Sequence, residues 1–470
     1  MPPTTSQTAG TRPRAPIASG SGSEVVTQTL CQTDGGLGGT AQVASGAPSP
    51  CGWLGRVSIQ PVMSRRLGLA DAVFLGLGSM IGAGVFAAFT PAAAAAGSGL
   101  LIGLLVGAVV ALCNATSSAQ LAAEYPTSGG TYVYGRERLG PWPGFFAGWC
   151  FVIGKTASCM AMAMTFAAYA APAGWQKPVA VLAVLALAAV NYVGVTRTAL
   201  VTRIIVVVAL LALAVGVAAG LGSQPRPNGF GSGLLGHGWY AILQSAGLLF
   251  FAFAGYARIA TLGEEVRDPR RIIPRAIVIA LALTMVIYAV VGVTVLVVLG
   301  PDGVATTRDP LAAAAARSGW PWAEPVVRVG AAAASLGALL ALITGIGRTS
   351  LAMARQADLP RWFAALHPRF DVPHRAEVAL ALVVVVGVLT ADLRGAIGFS
   401  SFGVLLYYLI ANLSAWTQTL EHRRYPRWLQ ALGAVGCLTL VATLPPRSIL
   451  IGLGVLAIGL CYRLVRLRLR

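Results

Sequence analysis

The chain has 470 residues, of which 56% are hydrophobic and 11% are charged, against about 45–50% and about 25% in soluble globular domains. This composition excludes a soluble globular protein, because too little polar surface would remain to cover so large an apolar interior. The net charge of +18 is typical of nucleic-acid-binding proteins, but the placement of the basic residues along the chain indicates another cause.

The first 62 residues are rich in Gly, Ser, Thr and Pro and have no amphipathic period. We expect residues 1–62 to be a disordered tail, because such a segment buries too little apolar surface to fold. Met63 is followed by two arginines and the first apolar run. A misplaced start of translation or a dispensable tail is therefore as good an interpretation as a functional tail.

Twelve apolar runs follow, each about 20 residues long, which is enough to cross about 30 Å of hydrocarbon as a helix. They predict an all-α integral membrane protein with twelve transmembrane helices. The runs cover residues 69–92, 99–121, 143–170, 178–195, 200–222, 240–262, 273–299, 325–351, 376–391, 395–417, 428–444 and 448–464.

The 34 Lys and Arg residues lie mostly in alternate loops and in the two terminal segments. Because positive charge accumulates on the cytoplasmic side of such proteins, we predict a multi-pass protein of the inner membrane with both termini in the cytoplasm. The basic segment Arg463–Arg470 is then expected to meet anionic lipid headgroups rather than nucleic acid.

The seven cysteines lack the paired spacing of a metal site or a disulfide framework, and the four histidines are scattered over loops. The sequence therefore predicts no metal site, no cofactor and no catalytic cluster.

Two runs are interrupted by glycine. The first run has four glycines between Gly76 and Gly84, and the sixth reads Phe250–Tyr256 with Gly255 inside it. Each glycine weakens a helix by about 1 kcal/mol relative to alanine, and unwound backbone at membrane depth is tolerated only inside protein or beside a cavity. Runs one and six are five apart, as in inverted repeats, so we predict a midplane binding site between two broken helices. Ordinary close packing of helices is the alternative explanation of these glycines.

Four stretches resemble signature segments of the amino acid-polyamine-organocation (APC) superfamily, in the order and topology of that family, and nearest to its cationic amino acid transporter branch. They are Gly78–Phe86, Gln120–Tyr134, Gly263–Pro274 and Met353–Phe370.

The resemblance implies a LeuT-type fold, with a 5+5 inverted repeat and broken helices 1 and 6. It divides the chain into a core of spans 1–10 at residues 63–422 and two further spans with a basic cytoplasmic end at residues 423–470. It also implies secondary active transport of amino acids by alternating access, through proton-coupled symport or exchange, and no enzymatic activity. The implied partners are an amino acid, protons and membrane lipids.

The resemblance places the substrate between the two breaks. The amides of Gly82, Ala83 and Gly84 are expected to bind the substrate carboxylate, since a helix N-terminus offers free N–H groups and a positive dipole. Carbonyls near Met80 and in span 6 would bind the ammonium group, and Phe251 would close over the substrate. The expected substrate-binding residues are Ser79, Met80, Ile81, Gly82, Ala83 and Gly84 in span 1, and Phe251, Ala252, Phe253, Ala254 and Gly255 in span 6.

The sequence departs from the family at its usual proton route. Span 5 has no charge between Ile204 and Val217, where some members carry a lysine, and the position after the span 6 break, often acidic, is Ala257 followed by Arg258. Lys155 in span 3 is the candidate coupling residue, because a buried lysine can lose its proton near neutral pH. A snorkelling or structurally paired lysine is the alternative.

Other polar residues in or near the spans have simpler interpretations. Arg203 and Arg258 are expected to snorkel to the interface. Glu264 and Glu265 are expected to form a gate or to pair with Arg267, Arg270 or Arg348, and Thr344 is a weak candidate for an ion site.

Three other functions compete with amino acid transport. A transporter of polyamines or other organic amines would use the same fold. An integral-membrane enzyme would need a His, Asp or Glu cluster at one membrane face, and a transporter-like sensor would carry a signalling domain.

Overall fold

The computed structural model describes residues 67–468 except 128, 194–197, 224–232 and 264. The predicted tail of residues 1–62 lies outside the described residues. Eight helices form the first half of the described chain. They are α1 (Leu69–Met80), α2 (Ala83–Ala87), α3 (Phe89–Ala96), α4 (Leu100–Glu124), α5 (Thr131–Leu139), α6 (Pro141–Ala170), α7 (Gln176–Tyr192) and α8 (Thr198–Leu221).

The second half of the described chain is also helical. Its helices are α9 (Gly238–Phe253), α10 (Ala257–Ala260), α11 (Pro269–Thr306), α12 (Pro310–Ala315), α13 (Ala323–Arg355), α14 (His374–Thr390), α15 (Leu393–Trp416), α16 (Arg427–Thr443) and α17 (Pro446–Arg468). Single 3-10 turns precede α4, join α9 to α10 and follow α13. Between described residues, extended pairing is confined to one isolated bridge, Leu67 with Val266.

Nine helical segments of the described chain are long and apolar enough to cross a membrane. Three further helices, α7, α14 and α16, have 17 residues each and lie at three more of the predicted runs. A helix therefore occupies every position where the sequence predicts a span.

The helix in the first predicted span is interrupted where its glycines cluster. It ends at Met80, and the N–H of Ile81 still donates to the carbonyl of Leu77 at 2.7 Å. Gly82 then leaves helical geometry, with φ −58° and ψ −132°, before α2 begins at Ala83. A Cβ on Gly82 would lie 2.6 Å from the Cβ of Ala338. The glycine therefore lets the interruption pack directly against α13.

The interruption in the sixth span has a different form. The α-helix ends at Phe253, and the 3-10 turn Ala254–Tyr256 replaces it for three residues instead of unwound chain. A Cβ on Gly255 would lie 2.4 Å from the carbonyl oxygen of Ser79 and 2.7 Å from the amide nitrogen of Met80. The two interruptions are thus in direct backbone contact, which only a residue without a side chain permits.

Long helices surround these interruptions. The helix α6 packs along both α13 and α15, α1 packs against α11, and α4 packs against α9 and α11. The last two helices lie against this group, α16 on α15 and α4, and α17 on α15. Side chains from α6, α11, α13 and α15 therefore reach the paired interruptions.

The basic end of α17 corrects the headgroup prediction at Arg463. Its guanidinium is buried, donates to the Asp358 carboxylate at 2.8 Å, and lies 4.5 Å from the ring centre of Phe145. Arg136 contacts the other oxygen of Asp358 at 3.0 Å. The prediction was wrong for Arg463 because its partner lies 105 positions away in sequence, a distance over which sequence pattern carries no signal.

Candidate functional site

A narrow cavity lies beside the paired interruptions. The end of α1 contributes Ser79, α6 contributes Phe151 and Lys155, and the 3-10 turn contributes Ala254 and Gly255. The lining residues of α13 recur at helical spacing, so one face of this helix forms a wall of the cavity. These α13 residues are Ala338, Ala341, Leu342, Gly345, Arg348 and Thr349.

Lys155 lies in the middle of α6 and points at the sixth-span interruption. Its side chain is buried, and its Nζ donates to the carbonyl oxygen of Ala254 at 3.1 Å. The hydroxyl of Tyr408 donates to the same oxygen at 3.2 Å. No ion pair joins Lys155 to a carboxylate among the described residues. The lysine therefore connects α6 to the 3-10 turn through a hydrogen bond that its positive charge strengthens.

Two arginines also line the cavity. Arg258 follows the 3-10 turn in α10, and Arg348 lies on α13. Arg348 pairs with Glu265 at 3.1 Å, which confirms the predicted pairing for that glutamate. Glu264 lies outside the described residues. The sequence predicted that Arg258 snorkels to the interface. In the structure its side chain instead borders the cavity next to the interruption.

The predicted substrate-binding residues divide into two groups. Ser79, Ala254 and Gly255 line the cavity together with Lys155. The others lie away from its walls. The described side chains among them are all buried. They are those of Met80, Ile81, Phe251, Ala252 and Phe253. Gly82 and Gly84 pack tightly, because a Cβ on Gly84 would lie 2.7 Å from the hydroxyl of Tyr288. Ala83 starts α2.

A tyrosine from α11 occupies two of the carbonyls that the sequence assigned to the substrate ammonium. The hydroxyl of Tyr288 lies 2.5 Å from the carbonyl oxygen of Met80 and 3.0 Å from that of Ala252, close enough to donate to either. Tyr169 of α6 donates to the carbonyl of Phe86 at 2.9 Å, and the two rings pack edge to face. These contacts tie α11 to the backbone of α1 and α9, and α6 to the backbone of α2.

Comparison with known proteins decides the family. Residues 67–459 match the family model described as amino acid permease. This chain belongs to the amino acid permease family. The APC resemblance of the four sequence motifs is thereby confirmed.

Relatives of this permease carry transporter names. It is 58% identical to an uncharacterized transporter of Mycobacterium tuberculosis over 405 residues, which are 86% of this chain and 92% of the relative. It is 29% identical to the chloroplastic cationic amino acid transporter 7 of Arabidopsis thaliana over 380 residues, 74% of this chain and 65% of that protein. It is 26% identical to a branched-chain amino acid permease of Bacillus subtilis over 344 residues, 67% of this chain and 72% of that protein. Together with the apolar helices, these matches indicate a multi-pass membrane transporter.

Sequence reasoning missed several residues of the candidate site. Phe151, Thr261 and the α13 face gave no signal, because an apolar membrane helix looks alike on all its faces in sequence. Arg258 had a usable signal, a charge directly after a predicted break. Thr344, proposed as an ion ligand, donates instead to Asn191 at 2.9 Å and has no place in the cavity wall. No group of three or more His, Cys, Asp or Glu that could hold a metal occurs within the described ranges.

Proposed function

We propose that this permease moves amino acids across the cytoplasmic membrane by alternating access, through a site between two interrupted helices. One observation carries the proposal. The cavity lies where the interruptions of the first and sixth spans touch, with Ser79 on one side and Ala254 and Gly255 on the other. A midplane site between broken helices is the arrangement expected of transporters built from inverted repeats.

We further propose twelve membrane spans with a LeuT-type 5+5 repeat, both termini in the cytoplasm, and the last two spans appended to the core. Helices at all twelve predicted positions support this count. The shorter helices α7, α14 and α16 have 17 residues, about 25 Å at 1.5 Å per residue. A locally thinned bilayer accommodates helices of that length.

In this topology the described conformation faces the cytoplasm. The cavity extends from Ser79 to Arg348, whose side chain is 43% exposed. Arg348 lies near the end of α13 that the charge distribution assigns to the cytoplasm. On the opposite side, Tyr288 and Tyr169 hold the two interruptions closed. The outward-facing state forms in this scheme when Tyr288 releases the backbone of α1 and α9 and Tyr169 releases that of α2.

The amides of Gly82, Ala83 and Gly84 then become the site for the substrate carboxylate, and the carbonyls of Met80 and Ala252 become free for its ammonium group. In the described conformation Tyr288 supplies a donor to those carbonyls. The tyrosine hydroxyl and the substrate ammonium are thus alternative donors to the same oxygens. Such competition couples substrate binding to movement of the breaks, because a ligand shifts the equilibrium only by its different affinity for the two states.

Coupling to protons is assigned to Lys155. Its ammonium donates to the carbonyl of Ala254, next to the point where the breaks touch. A charged donor stabilises this contact about twice as strongly as a neutral one. Loss of the proton therefore loosens the sixth-span turn, and the empty carrier returns with its lysine neutral. Exchange of one amino acid for another needs no such return step.

Transport by purified protein in proteoliposomes tests the proposal. Vesicles loaded with unlabelled amino acid are diluted into a trace of labelled amino acid, and counterflow is followed with and without an inward proton gradient. We expect accumulation of label for at least one amino acid, increased by the gradient. Counterflow of a different solute class, with none for any amino acid, would contradict the proposed function.

A further inference from the structure

The charge of the cavity narrows the substrate class, an inference that rests on the proposed transport of amino acids through this cavity. Its described lining carries three cationic side chains, Lys155, Arg258 and Arg348, and none of its described lining residues is acidic. Glu265 pairs with Arg348 and offsets one of these charges. If the charge of Glu264 is counted as well, the net charge of the three cations and two glutamates is still positive.

Arg258 has more unused hydrogen-bonding capacity than the other two cations, each of which donates to one described acceptor. Its guanidinium has five N–H donors, and it makes no side-chain hydrogen bond or ion pair with any described residue. The side chain is only partly exposed and borders the cavity next to the 3-10 turn. An arginine placed this way is suited to a carboxylate, whose two oxygens match the planar fork of the guanidinium.

We infer that the cavity accepts amino acids with an acidic side chain in preference to neutral ones, and that it excludes cationic amino acids and polyamines. The α-carboxylate and α-ammonium of every amino acid cancel in net charge, so the side chain decides the sign of the interaction with the cavity. A cationic side chain would meet Arg258 and Lys155 at short range in a medium of low dielectric constant, where like charges repel strongly.

A preference for acidic side chains would distinguish this permease from relatives that are named as transporters of cationic amino acids. The relative in Arabidopsis is named as a cationic amino acid transporter, and this chain shares 29% of its residues over the matched region. At the position after the sixth-span break the present chain has Ala257 and Arg258, and neither can attract a cation. It also disfavours the polyamine alternative, because a polyamine would bring two or more positive charges to a positive site.

Uptake assays in the proteoliposome system test this substrate preference. Uptake of labelled glutamate, glutamine, arginine and putrescine is measured at equal concentrations, with the ionic strength held low because salt screens exposed charges. We expect glutamate to exceed glutamine, and glutamine to exceed arginine and putrescine by at least about tenfold, a ratio that corresponds to one 1.4 kcal/mol difference. Arginine or putrescine uptake equal to that of glutamine would overturn the inference while leaving transport itself intact.

Variants of Arg258 identify the residue responsible. Arg258→Gln should reduce the ratio of glutamate to glutamine uptake about tenfold, and Arg258→Lys, which keeps the charge, should retain most of the preference. Arg275→Gln removes an exposed arginine of α11 outside the cavity and serves as the control with unchanged ratio. An unchanged ratio in Arg258→Gln would also overturn the inference. Absence of uptake of all amino acids by the wild-type protein would instead contradict the proposed function on which it rests.

Discussion

Gly345 offers a clean steric test of the cavity. It lies on the α13 face that lines the cavity, and a Cβ placed there would have no heavy atom within 4 Å. Gly345→Leu adds four carbon atoms at the cavity wall, and the first of them, the Cβ, displaces no neighbouring atom. In a helix, leucine is more favourable than glycine by about 0.8 kcal/mol, so the variant should fold at least as stably as the parent.

The expected effect is on transport alone. If the substrate occupies the space beside Ser79 and Lys155, a leucine at 345 must exclude it or force it from its contacts. A loss of about 3 kcal/mol of binding free energy corresponds to a decrease of about 100-fold in affinity. Gly345→Ala, with one added methyl group, should retain most of the activity.

The assay is amino acid counterflow in proteoliposomes, with the amount of inserted protein measured in parallel. The matched control is Gly454→Leu, since Gly454 is also helical, has open space around its Cβ, and lies on α17 away from the cavity. We expect normal uptake by the Gly454 variant and almost none by the Gly345 variant. Full uptake by well-inserted Gly345→Leu would show that the substrate path lies elsewhere.

Variants at three further positions probe the coupling lysine, the closed side and the buried ion pairs. Lys155→Met should abolish the pH dependence of uptake and accumulation against a gradient while exchange survives, and Lys155→Arg should not restore coupling because arginine keeps its proton. Pronounced pH dependence in Lys155→Met would remove the lysine from the proton route. Tyr288→Phe leaves the buried carbonyls of Met80 and Ala252 without the tyrosine donor. The free energy of unfolding should fall by about 1–3 kcal/mol, which a thermal-shift assay detects as a lower melting temperature. Tyr240→Phe, 58% exposed, is its control, and equal melting of the two variants would contradict the closing role. Asp358→Asn should destabilise the protein by about 3 kcal/mol, because it leaves buried Arg463 without its anion. The exposed pair partner Asp268, changed to Asn, should have almost no effect.

Asp358, the shared anion of the buried ion pairs, also accepts a hydrogen bond from a tyrosine outside the membrane segments. Tyr132 of α5 donates to Asp358 at 2.8 Å. Burial, and next the hydrogen bond to Asp358, raise the pKa of the Tyr132 phenol, so it remains a donor throughout the physiological pH range. The ion pairs of Asp358 are thus supported by a neutral donor that does not titrate with them.

The sequence located the helices well because an apolar run of about 20 residues is a local signal. It also located the two interruptions, since clustered glycines weaken a helix where they occur. The helix ends at Met80 and Phe253 fall inside the predicted breaks. What it did not provide is the role of each glycine, which depends on neighbours from distant parts of the chain.

Gly82 and Gly255 illustrate this limit. The sequence alone predicts that leucine at either position fills the substrate space and leaves membrane insertion largely intact. In the structure a Cβ on Gly255 would overlap the backbone of Ser79, and one on Gly82 would overlap Ala338. Leucine at either position should therefore disturb helix packing itself, so these variants test the fold as much as the site.

The hydrogen-bond partners of the site were equally hidden. The hydroxyl of Tyr288 lies 208 positions from the carbonyl of Met80 along the chain, and Lys155 lies 99 positions from Ala254. No periodicity or local motif reports such pairs, because they arise only when α6 and α11 pack around the interruptions. The position of Lys155 inside an apolar span was enough to single it out but not to name its partner.

Binding of substrate between the paired interruptions, in a cavity open to the cytoplasm, can be tested by labelling a single cysteine. Ser79→Cys is introduced into a chain whose seven native cysteines are replaced, and a membrane-impermeant thiol reagent is applied to inside-out and right-side-out vesicles. We expect rapid labelling from the cytoplasmic side only, slowed by the transported amino acid. Labelling from the cytoplasmic side at a rate that saturating substrate leaves unchanged would contradict binding between the interruptions.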